Sequence, residues 1–332
     1  MESVLSFELR HPATLQEAVA ALAAEPGARL LAGGTDLVPN LRRGIEQPPV
    51  LVSLARIAGF AAIAHDAQGL TLGAGLTLAR LATEELLADR WCAVAQAAQS
   101  VAAPTHRNAA TLGGNLCLDT RCVFYNQSAW WRAANGHCLK RGGTVCHVAP
   151  QGERCHAAFS GDVAPALLVL QAEVELHSLQ GTRRIPLAQL YRDDGAAHLA
   201  IGRDELLVSL RLPMPAPGTV SGYRKARLRG AIDFPLAGVA IALAMSDGVP
   251  TALRVALTGT NPRPLLLDGT DALLGRPVDD TQLRALGKLV SKQASPARTT
   301  ALPSNHRRLN AAALAQQLLR DLVQQATAQP PA

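Results

Sequence analysis

Two short glycine motifs decide the fold: Leu30-Leu31-Ala32-Gly33-Gly34-Thr35-Asp36 near the N-terminus and Thr111-Leu112-Gly113-Gly114-Asn115 further along. Each glycine pair follows an apolar stretch, and neither motif matches a dinucleotide-binding GxGxxG or a P-loop. Paired glycines let the backbone approach a bulky anion with successive N–H groups, while Thr or Asn adds a side-chain hydrogen bond. Two such turns together predict a binding site for a pyrophosphate. The alternative for either pair alone is an ordinary tight turn.

The residues around these motifs predict two α+β modules followed by a third unit. Thr14-Leu15-Gln16-Glu17 fits a capping box that starts a helix ending at Pro26-Gly27. The Pro-rich stretch 213–218 resists both helix and strand, so we place a domain boundary there. The remaining apolar patterns predict strands near 29–32, 49–54, 69–75, 172–177, 206–213, 235–245 and 250–258, and helices near 78–87, 91–103, 280–293 and 306–326.

Composition and charge narrow the class of protein. The chain has 332 residues, 48% hydrophobic and 17% charged, which predicts a soluble globular protein of two or three modules. The net charge of +6 suits an anionic partner such as an acidic electron-carrier protein, but basic residues occur only in short groups, so nucleic-acid binding is not expected. Glu2, Glu8 and Arg10 argue against a signal peptide, and the longest apolar stretch, Phe234 to Met245, is too short to cross a bilayer. We expect a cytoplasmic protein without a membrane span.

The cysteines are concentrated in one segment. Five of the six fall between Cys117 and Cys155, and clustered thiols in a chain without secretion signals indicate metal or redox chemistry more than a disulfide framework. From Cys122 through Cys138 and Cys146 to Cys155, the ligands would be separated by 15, 7 and 8 residues, wider than ferredoxin or zinc-finger spacing. Spacing alone therefore leaves both an iron–sulfur cluster and a zinc site open.

Histidines and aromatic residues flank these cysteines. His137, His147 and His156 each adjoin a cysteine, which keeps a mixed Cys/His zinc site as an alternative, although adjacent residues rarely bind one metal together. The same segment contains four of the eleven aromatic residues of the chain: Phe124, Tyr125, Trp130 and Trp131. They are expected either to shield a metal site from solvent or to form the small core of an irregular loop.

The ordered motifs resemble those of the FAD-binding subunits of the molybdenum hydroxylase family, which includes xanthine dehydrogenase. The resemblance rests on the two glycine motifs, on Gly161-Asp162-Val163-Ala164-Pro165-Ala166 and on Tyr223 to Pro235. It implies a fold of the α+β class, in which a two-part FAD-binding domain of the PCMH/vanillyl-alcohol-oxidase type is followed by a C-terminal α+β domain like that of the CO dehydrogenase flavoprotein. The implied bounds are 1–217 for the FAD-binding domain (subdomains 1–57 and 58–217), 218–326 for the C-terminal domain and 327–332 for a flexible tail.

A cysteine-bearing insert at about 117–158 separates the second glycine motif from Asp162. Most members of the family have only a short connection there. The insert resembles that of the β subunits of 4-hydroxybenzoyl-CoA reductases, in which four cysteines bind a 4Fe-4S cluster. By this resemblance the metal ligands are Cys122, Cys138, Cys146 and Cys155.

The resemblance also implies which residues bind FAD. Residues 30–36 and 111–115 would hold its pyrophosphate and ribityl region, and Asp162 would contact the ribityl or adenosine end. Leu207 would lie near the isoalloxazine, Val101 would line the pocket, and Lys225 would stabilise reduced, anionic flavin. The implied FAD ligands are Leu30, Leu31, Ala32, Gly33, Gly34, Thr35, Asp36, Val101, Thr111, Gly113, Gly114, Asn115, Asp162, Leu207 and Lys225.

The implied function is electron transfer without a catalytic residue in this chain. Electrons would pass from reduced ferredoxin through 4Fe-4S and FAD to a small 2Fe-2S subunit and a large molybdenum-cofactor subunit. That assembly, a heterohexamer with two copies of each subunit, would dehydroxylate 4-hydroxybenzoyl-CoA to benzoyl-CoA in anaerobic aromatic degradation. Two alternatives stay open: the FAD subunit of another molybdenum hydroxylase, acting on an aldehyde, a purine or CO, and a non-catalytic module that binds zinc or senses oxidation.

Overall fold

The computed structural model of the chain describes residues 6–328. Outside this range lie residues 1–5, which include Glu2, and residues 329–332 of the predicted tail. The first module is a parallel sheet of order β1-β3-β2 with two helices. Its elements are β1 (Glu8–Arg10), α1 (Leu15–Ala24), β2 (Arg29–Leu31), α2 (Leu37–Arg42) and β3 (Val50–Ser53). Helix α1 begins as predicted, because the Thr14 hydroxyl accepts a hydrogen bond from the Glu17 N–H at 3.1 Å.

The second module is an antiparallel sheet of order β4-β5-β8-β6-β7 packed against short helices. The strands are β4 (Ile63–Asp66), β5 (Gly69–Gly73), β6 (Glu173–Ser178), β7 (Gly181–Pro186) and β8 (Leu206–Pro213). The helices are α3 (Leu78–Ala82), α4 (Glu85–Ala88), α5 (Cys92–Ser100), α6 (Pro104–Ala109), α7 (Leu112–Leu116), α8 (Ala129–Ala134) and α9 (Val163–Val169). Helix α9 is buried along its whole length at the centre of the main core, which fixes the residues at its N-terminus.

The third module is an antiparallel sheet of order β12-β11-β10-β9 with two long helices. Its elements are β9 (Thr219–Ala226), β10 (Ala237–Ser246), β11 (Val249–Thr258), β12 (Leu265–Leu266), α10 (Asp280–Gln293) and α11 (Ser304–Ala328). Helix α11 packs on β9 and β10, while α5 and α9 of the second module also contact this sheet. The third module is therefore joined to the second by a packed interface, along which β9 runs.

Several expectations about secondary structure need correction. The helix predicted over 78–87 is broken into α3 and α4, because the Thr83 hydroxyl donates to the backbone at Ala79 and so competes with helix continuation. The helix predicted over 91–103 ends at Ser100, and Pro104 starts a new helix at a position where its missing N–H costs nothing. Residues 327 and 328, assigned to the flexible tail, belong to α11.

The predicted α+β architecture itself is confirmed, with helices and sheets combined in both the FAD-binding and the C-terminal part. The connection 214–218 joins β8 to β9, where the domain boundary was predicted. Among the described residues, no helix is both long enough and apolar enough to span a bilayer.

Candidate cofactor site

The fold brings the three family-like motifs together. A Cβ added to Gly33 would lie 1.8 Å from the carbonyl oxygen of Ala109, just before the second motif, and one added to Gly114 would lie 3.9 Å from the Cβ of Ala32. At the third motif, a Cβ on Gly161 would lie 2.6 Å from the carbonyl oxygen of Asn115. The motifs are thus in direct contact, and two of these glycines are needed because a side chain would collide with backbone.

The first glycine motif presents its backbone to a ligand. Residues 30–38 are all half-buried, and Gly34 has a φ of +69°, in the left-handed region that glycine tolerates best. Within the described chain, the N–H groups of Gly33, Gly34 and Thr35 are not hydrogen-bonded to any residue. Free, successive N–H groups in a turn form a concave site of the kind that binds anions, so the first glycine motif has the backbone geometry of an anion site.

The second glycine motif differs from the expected open turn. Gly113 and Gly114 lie inside helix α7, whose N-terminal cap is Thr111. The Gly114 N–H donates to the Thr111 hydroxyl at 3.1 Å, and the Gly113 N–H donates to the Ala74 carbonyl at 2.8 Å. Because these donors are already used, the prediction that both motifs offer successive free N–H groups is wrong for the second one. The second motif instead offers a ligand the exposed backbone at Gly114, which a ligand can approach closely because glycine has no side chain.

A buried ion pair links the third motif to strand β9. The Lys225 ammonium donates to Asp162 Oδ2 at 2.9 Å, and the Tyr223 hydroxyl donates to Asp162 Oδ1 at 2.6 Å. Both side chains of the ion pair are only 4% exposed, so Lys225 is not a solvated surface lysine. Burial raises the pKa of the Asp162 carboxyl, and the positive charge of Lys225 and the hydrogen bond from Tyr223 oppose that rise. The pair fixes a charged group beside the N-terminus of α9.

The remaining predicted FAD ligands lie close to this pair or in the core. Lys225 also donates to the carbonyl of Ser100, the residue before Val101, at 3.3 Å. Asn115 accepts a hydrogen bond from the Val163 N–H at 3.1 Å, beside Asp162. Leu207 is 3% exposed in the main core, so only a narrow edge of it is accessible to a ligand. The side chains of Leu207, Asp162 and Lys225 are thus almost fully buried, whereas residues 30–36, Val101, Thr111, Gly113 and Gly114 are partly or fully exposed.

The four predicted cluster ligands line one cavity. Cys122, Cys138, Cys146 and Cys155 are all buried, and they line one small, partly open cavity. Its other walls are mainly apolar, and its lining is completed by Phe124, Tyr125, Leu139, Lys140, His147, Val148 and Ala157. By contrast, Cys92 lies elsewhere and donates to the Ser221 carbonyl, and Cys117 does not line the cavity.

The cavity differs from a site for a single metal ion. Over residues 6–328, no group of three or more His, Cys, Asp or Glu side chains is placed to hold a metal ion. A zinc site needs its ligands to converge on one point at about 2.3 Å from each sulfur. The flanking histidines do not supply the missing ligands: His147 donates from Nε2 to the His137 carbonyl at 2.9 Å, and His137 is exposed.

Two of the cavity thiols, Cys122 and Cys155, hold their protons more firmly than an ordinary cysteine does. Burial raises the pKa of Cys122, and it raises the pKa of Cys155 to about 12 despite the opposing effects of the Ala157 N–H and the Lys140 ammonium. Redox-sensing cysteines need a lowered pKa and access to solvent. The burial of all four cysteines and the raised pKa of two of them thus disfavour the redox-sensor alternative, and binding of a metal cluster would have to displace the thiol protons.

Arg121 connects the cysteine cavity to the first glycine motif. It precedes Cys122 in the chain, and its guanidinium forms an ion pair with Asp36 and donates to Asn40 Oδ1 at 3.1 Å. It also lies over the ring of Phe234, 5.6 Å from the ring centre. The insert is held at two further points, because Arg132 donates to the Gly44 carbonyl at 3.2 Å and the Val123 N–H donates to the Thr299 carbonyl at 2.9 Å.

Sequence reasoning missed the roles of Arg121, Lys140 and Tyr223. Each acts through a contact with a residue distant in sequence, and the only available signal was the proximity of Arg121 and Lys140 to predicted cysteine ligands. Of the four aromatic residues of the insert, Phe124 and Tyr125 line the cavity, and Trp131 lies beside Phe124 with 6.1 Å between the ring centres. Trp130 has neither expected role, because it is 78% exposed on α8.

Comparison with known sequences identifies related proteins over most of the chain. The family described as the FAD binding domain in molybdopterin dehydrogenase matches residues 5–215, and the CO dehydrogenase flavoprotein C-terminal domain matches residues 221–322. The aldehyde oxidoreductase FAD-binding subunit PaoB of Escherichia coli (strain K12) is 34% identical over 270 residues, covering 78% of this chain and 83% of that protein. The carbon monoxide dehydrogenase medium chain of Afipia carboxidovorans is 28% identical over 306 residues, covering 91% of each.

A solved structure is similar along almost the whole length. Reconstituted CO dehydrogenase from Oligotropha carboxidovorans contains a chain that superimposes with a TM-score of 0.79 at 25% identity. The match covers 96% of this chain and 98% of that one. The arrangement of three modules described above is therefore shared with a known redox protein.

Proposed function

Because the chain belongs to the molybdopterin dehydrogenase family as a FAD-binding subunit of a molybdenum hydroxylase, we propose that it transfers electrons between FAD and a 4Fe-4S cluster held by its cysteine insert. The observation that carries this proposal is the convergence of four buried cysteines on one cavity, next to the glycine motifs. The two groups, when bound, supply one-electron and two-electron redox chemistry. The chain itself binds these groups, shields them from water and sets their reduction potentials through its charges.

The residues present fit FAD. The free N–H groups of Gly33, Gly34 and Thr35 suit its pyrophosphate, and the Lys225 ammonium donates to the carbonyl of Ser100, the residue before Val101. Because Lys225 and Asp162 are equally buried, the pair is close to neutral, and its effect on a bound group depends on which charge lies nearer. We propose that Lys225 lies nearer to the flavin and so favours its reduced form, and that the exposed backbone of α7 at Gly114 contacts FAD.

The residues present also fit an iron–sulfur cluster. Such clusters take four thiolates, prefer apolar surroundings and do not need the ligands to meet at a point. Cys122, Cys138, Cys146 and Cys155 meet these requirements, and Phe124 and Tyr125 limit the access of water. The contact from Arg121 to Asp36 supports a short distance between this cavity and the loop proposed to hold the pyrophosphate.

We further propose that the complete enzyme is a 4-hydroxybenzoyl-CoA reductase. The support is the cysteine insert itself, which resembles that of the β subunits of these reductases. The chain would then work with a large molybdenum-cofactor subunit and a small 2Fe-2S subunit, two copies of each, and would accept electrons from reduced ferredoxin. The net charge of +6 favours the approach of such an acidic donor.

The cluster is tested by metal analysis of the complex purified without oxygen. We expect one FAD, about four irons and about four acid-labile sulfides per copy of this chain, beyond those of the 2Fe-2S subunit. The Cys138→Ser variant should lose that increment, whereas Cys117→Ser, outside the cavity, should keep it. Zinc without sulfide, or equal iron content in the two variants, would refute the cluster.

The substrate is tested by turnover of the same complex. With reduced ferredoxin or a reduced viologen as donor, 4-hydroxybenzoyl-CoA should be converted to benzoyl-CoA. The second candidate is an oxidative molybdenum hydroxylase, and it is favoured by the 34% identity to the aldehyde oxidoreductase subunit. Oxidation of aldehydes, purines or CO, with no turnover of the thioester, would establish that alternative instead.

A further inference from the structure

A buried lysine forms part of the wall of the cysteine cavity. Lys140 lies two residues after Cys138, and its side chain is only 6% exposed. Its ammonium donates to Asp119 Oδ1 at 2.6 Å, to Thr120 Oγ1 at 2.5 Å and to the Thr120 carbonyl at 3.2 Å. It also lies 4.5 Å from the centre of the Tyr125 ring. All three of its N–H groups are used, so the position of the charge is fixed.

The partners of Lys140 are fixed as well. Thr120 is fully buried, and its hydroxyl donates to the Gly195 carbonyl at 2.5 Å while accepting from the lysine. Asp119 differs, because 31% of its side chain is exposed. Water therefore screens the negative charge of Asp119 much more than the positive charge of Lys140. The Lys140–Asp119 pair therefore acts on groups inside the cavity as a net positive charge.

A net positive group matters to a cluster held by four thiolates. Such a cluster is anionic, and reduction makes it more negative, so a buried cation stabilises the reduced form more than the oxidised one. We propose that Lys140 raises the reduction potential of the cluster in the cysteine cavity and that Asp119 partly offsets this effect. The inference rests on the proposed function, since it concerns the 4Fe-4S cluster proposed above.

An electrostatic role predicts shifts of opposite sign for the two partners. In the purified complex, Lys140→Met should move the midpoint potential of the cluster to more negative values, and Asp119→Asn should move it to more positive values. Lys140→Arg keeps the charge and should restore most of the potential. Lys288→Met, an exposed lysine on α10, serves as the control and should leave the potential unchanged. The readout is a redox titration followed by electron paramagnetic resonance, with iron and sulfide measured in each sample.

The outcomes separate this inference from the proposed function. If the wild-type complex contains no cluster in this chain, the proposed function fails. If the cluster is present but the two variants shift its potential in the same direction, or not at all, Lys140 only ties the loop together and the inference is overturned. Should Lys140→Met lose its cluster, Asp119→Asn decides the question: a potential that is unchanged or lower than wild type overturns the inference.

Discussion

Acidification should weaken the attachment of the cysteine insert through His198. This side chain is 6% exposed, and its Nε2–H donates to the carbonyl of Leu118, at the start of the insert, at 2.9 Å. Burial lowers the pKa of His198 from 6.5 to about 4, against a smaller opposing effect of Asp119. In the unfolded chain the imidazole regains its ordinary pKa. Between these two values the unfolded chain binds a proton that the folded chain does not.

The sign and size of the effect follow from proton linkage. Since the unfolded state binds more protons between about pH 6.5 and about pH 4, the free energy of unfolding falls as the pH is lowered through that window. With these two pKa values, His198 should cost about 2 kcal/mol at about pH 5 and almost nothing above pH 7. His198→Gln keeps a donor for Leu118 but cannot take up a proton, so it should remove this part of the pH dependence.

The assay is urea unfolding of the full chain at several pH values for wild type and His198→Gln. The difference between the two free energies of unfolding is the informative quantity, because the carboxylates contribute equally to both. We expect that difference to change by about 2 kcal/mol in favour of the variant between pH 7.5 and pH 5. Parallel pH profiles for the two proteins would refute the assignment of a buried, neutral His198.

Three further predictions concern stability and FAD binding. Arg307→Met should lower the free energy of unfolding by about 3 kcal/mol or more in urea titrations, because the buried guanidinium donates to four acceptors in three segments of the C-terminal module. Gly33→Ala should weaken FAD binding at least tenfold, about 1.4 kcal/mol, in fluorescence titrations, since its Cβ would collide with the Ala109 carbonyl. Lys225→Met should cost about 3–5 kcal/mol in thermal or urea unfolding, because it leaves the Asp162 carboxylate buried without a counter-charge.

Matched variants make these predictions specific. Arg320→Met removes an exposed ion pair at 3.7 Å and should lower the free energy of unfolding by under about 1 kcal/mol. If Arg307→Met lowers it by no more than that, burial is not what makes Arg307 important. Gly230→Ala adds a Cβ with no atom within 4 Å and should bind FAD like wild type. In the double variant Lys225→Met with Asp162→Asn, part of the lost stability should return. If it does not, the charge is not the cause.

Local signals in the sequence were sufficient for elements whose stability is also local. The Thr14 cap, the alternation over 206–213 and the apolar face of α11 predicted elements that the structure contains. Strand β9 was not predicted, because Thr219–Ala226 is half polar and pairs only through its partner β10. Strands β4 and β7 lie at the edges of their sheet and carry polar residues, so they also lacked a pattern.

The same division applies to the candidate site. The glycine motifs and cysteines are short segments with recognisable chemistry, and they were identified from the sequence. The hydrogen bonds that occupy the N–H groups of α7 come from Ala74 and Thr111, and the ion pair of Arg121 joins residues far apart in the chain. Such contacts depend on how the modules pack, which no local pattern encodes.

Three of the attachments of the cysteine insert limit how it could be transplanted into a related subunit. Arg121 binds Asp36 and Arg132 binds Gly44, both in the first module, and Val123 binds Thr299 in the third. A graft of residues 117–158 alone would place two arginines without these acceptors, and Cys122, which lies between them, would lose its fixed position. A working chimaera therefore needs the host to supply matching groups at all three positions, so the insert and its scaffold have to be exchanged as one unit.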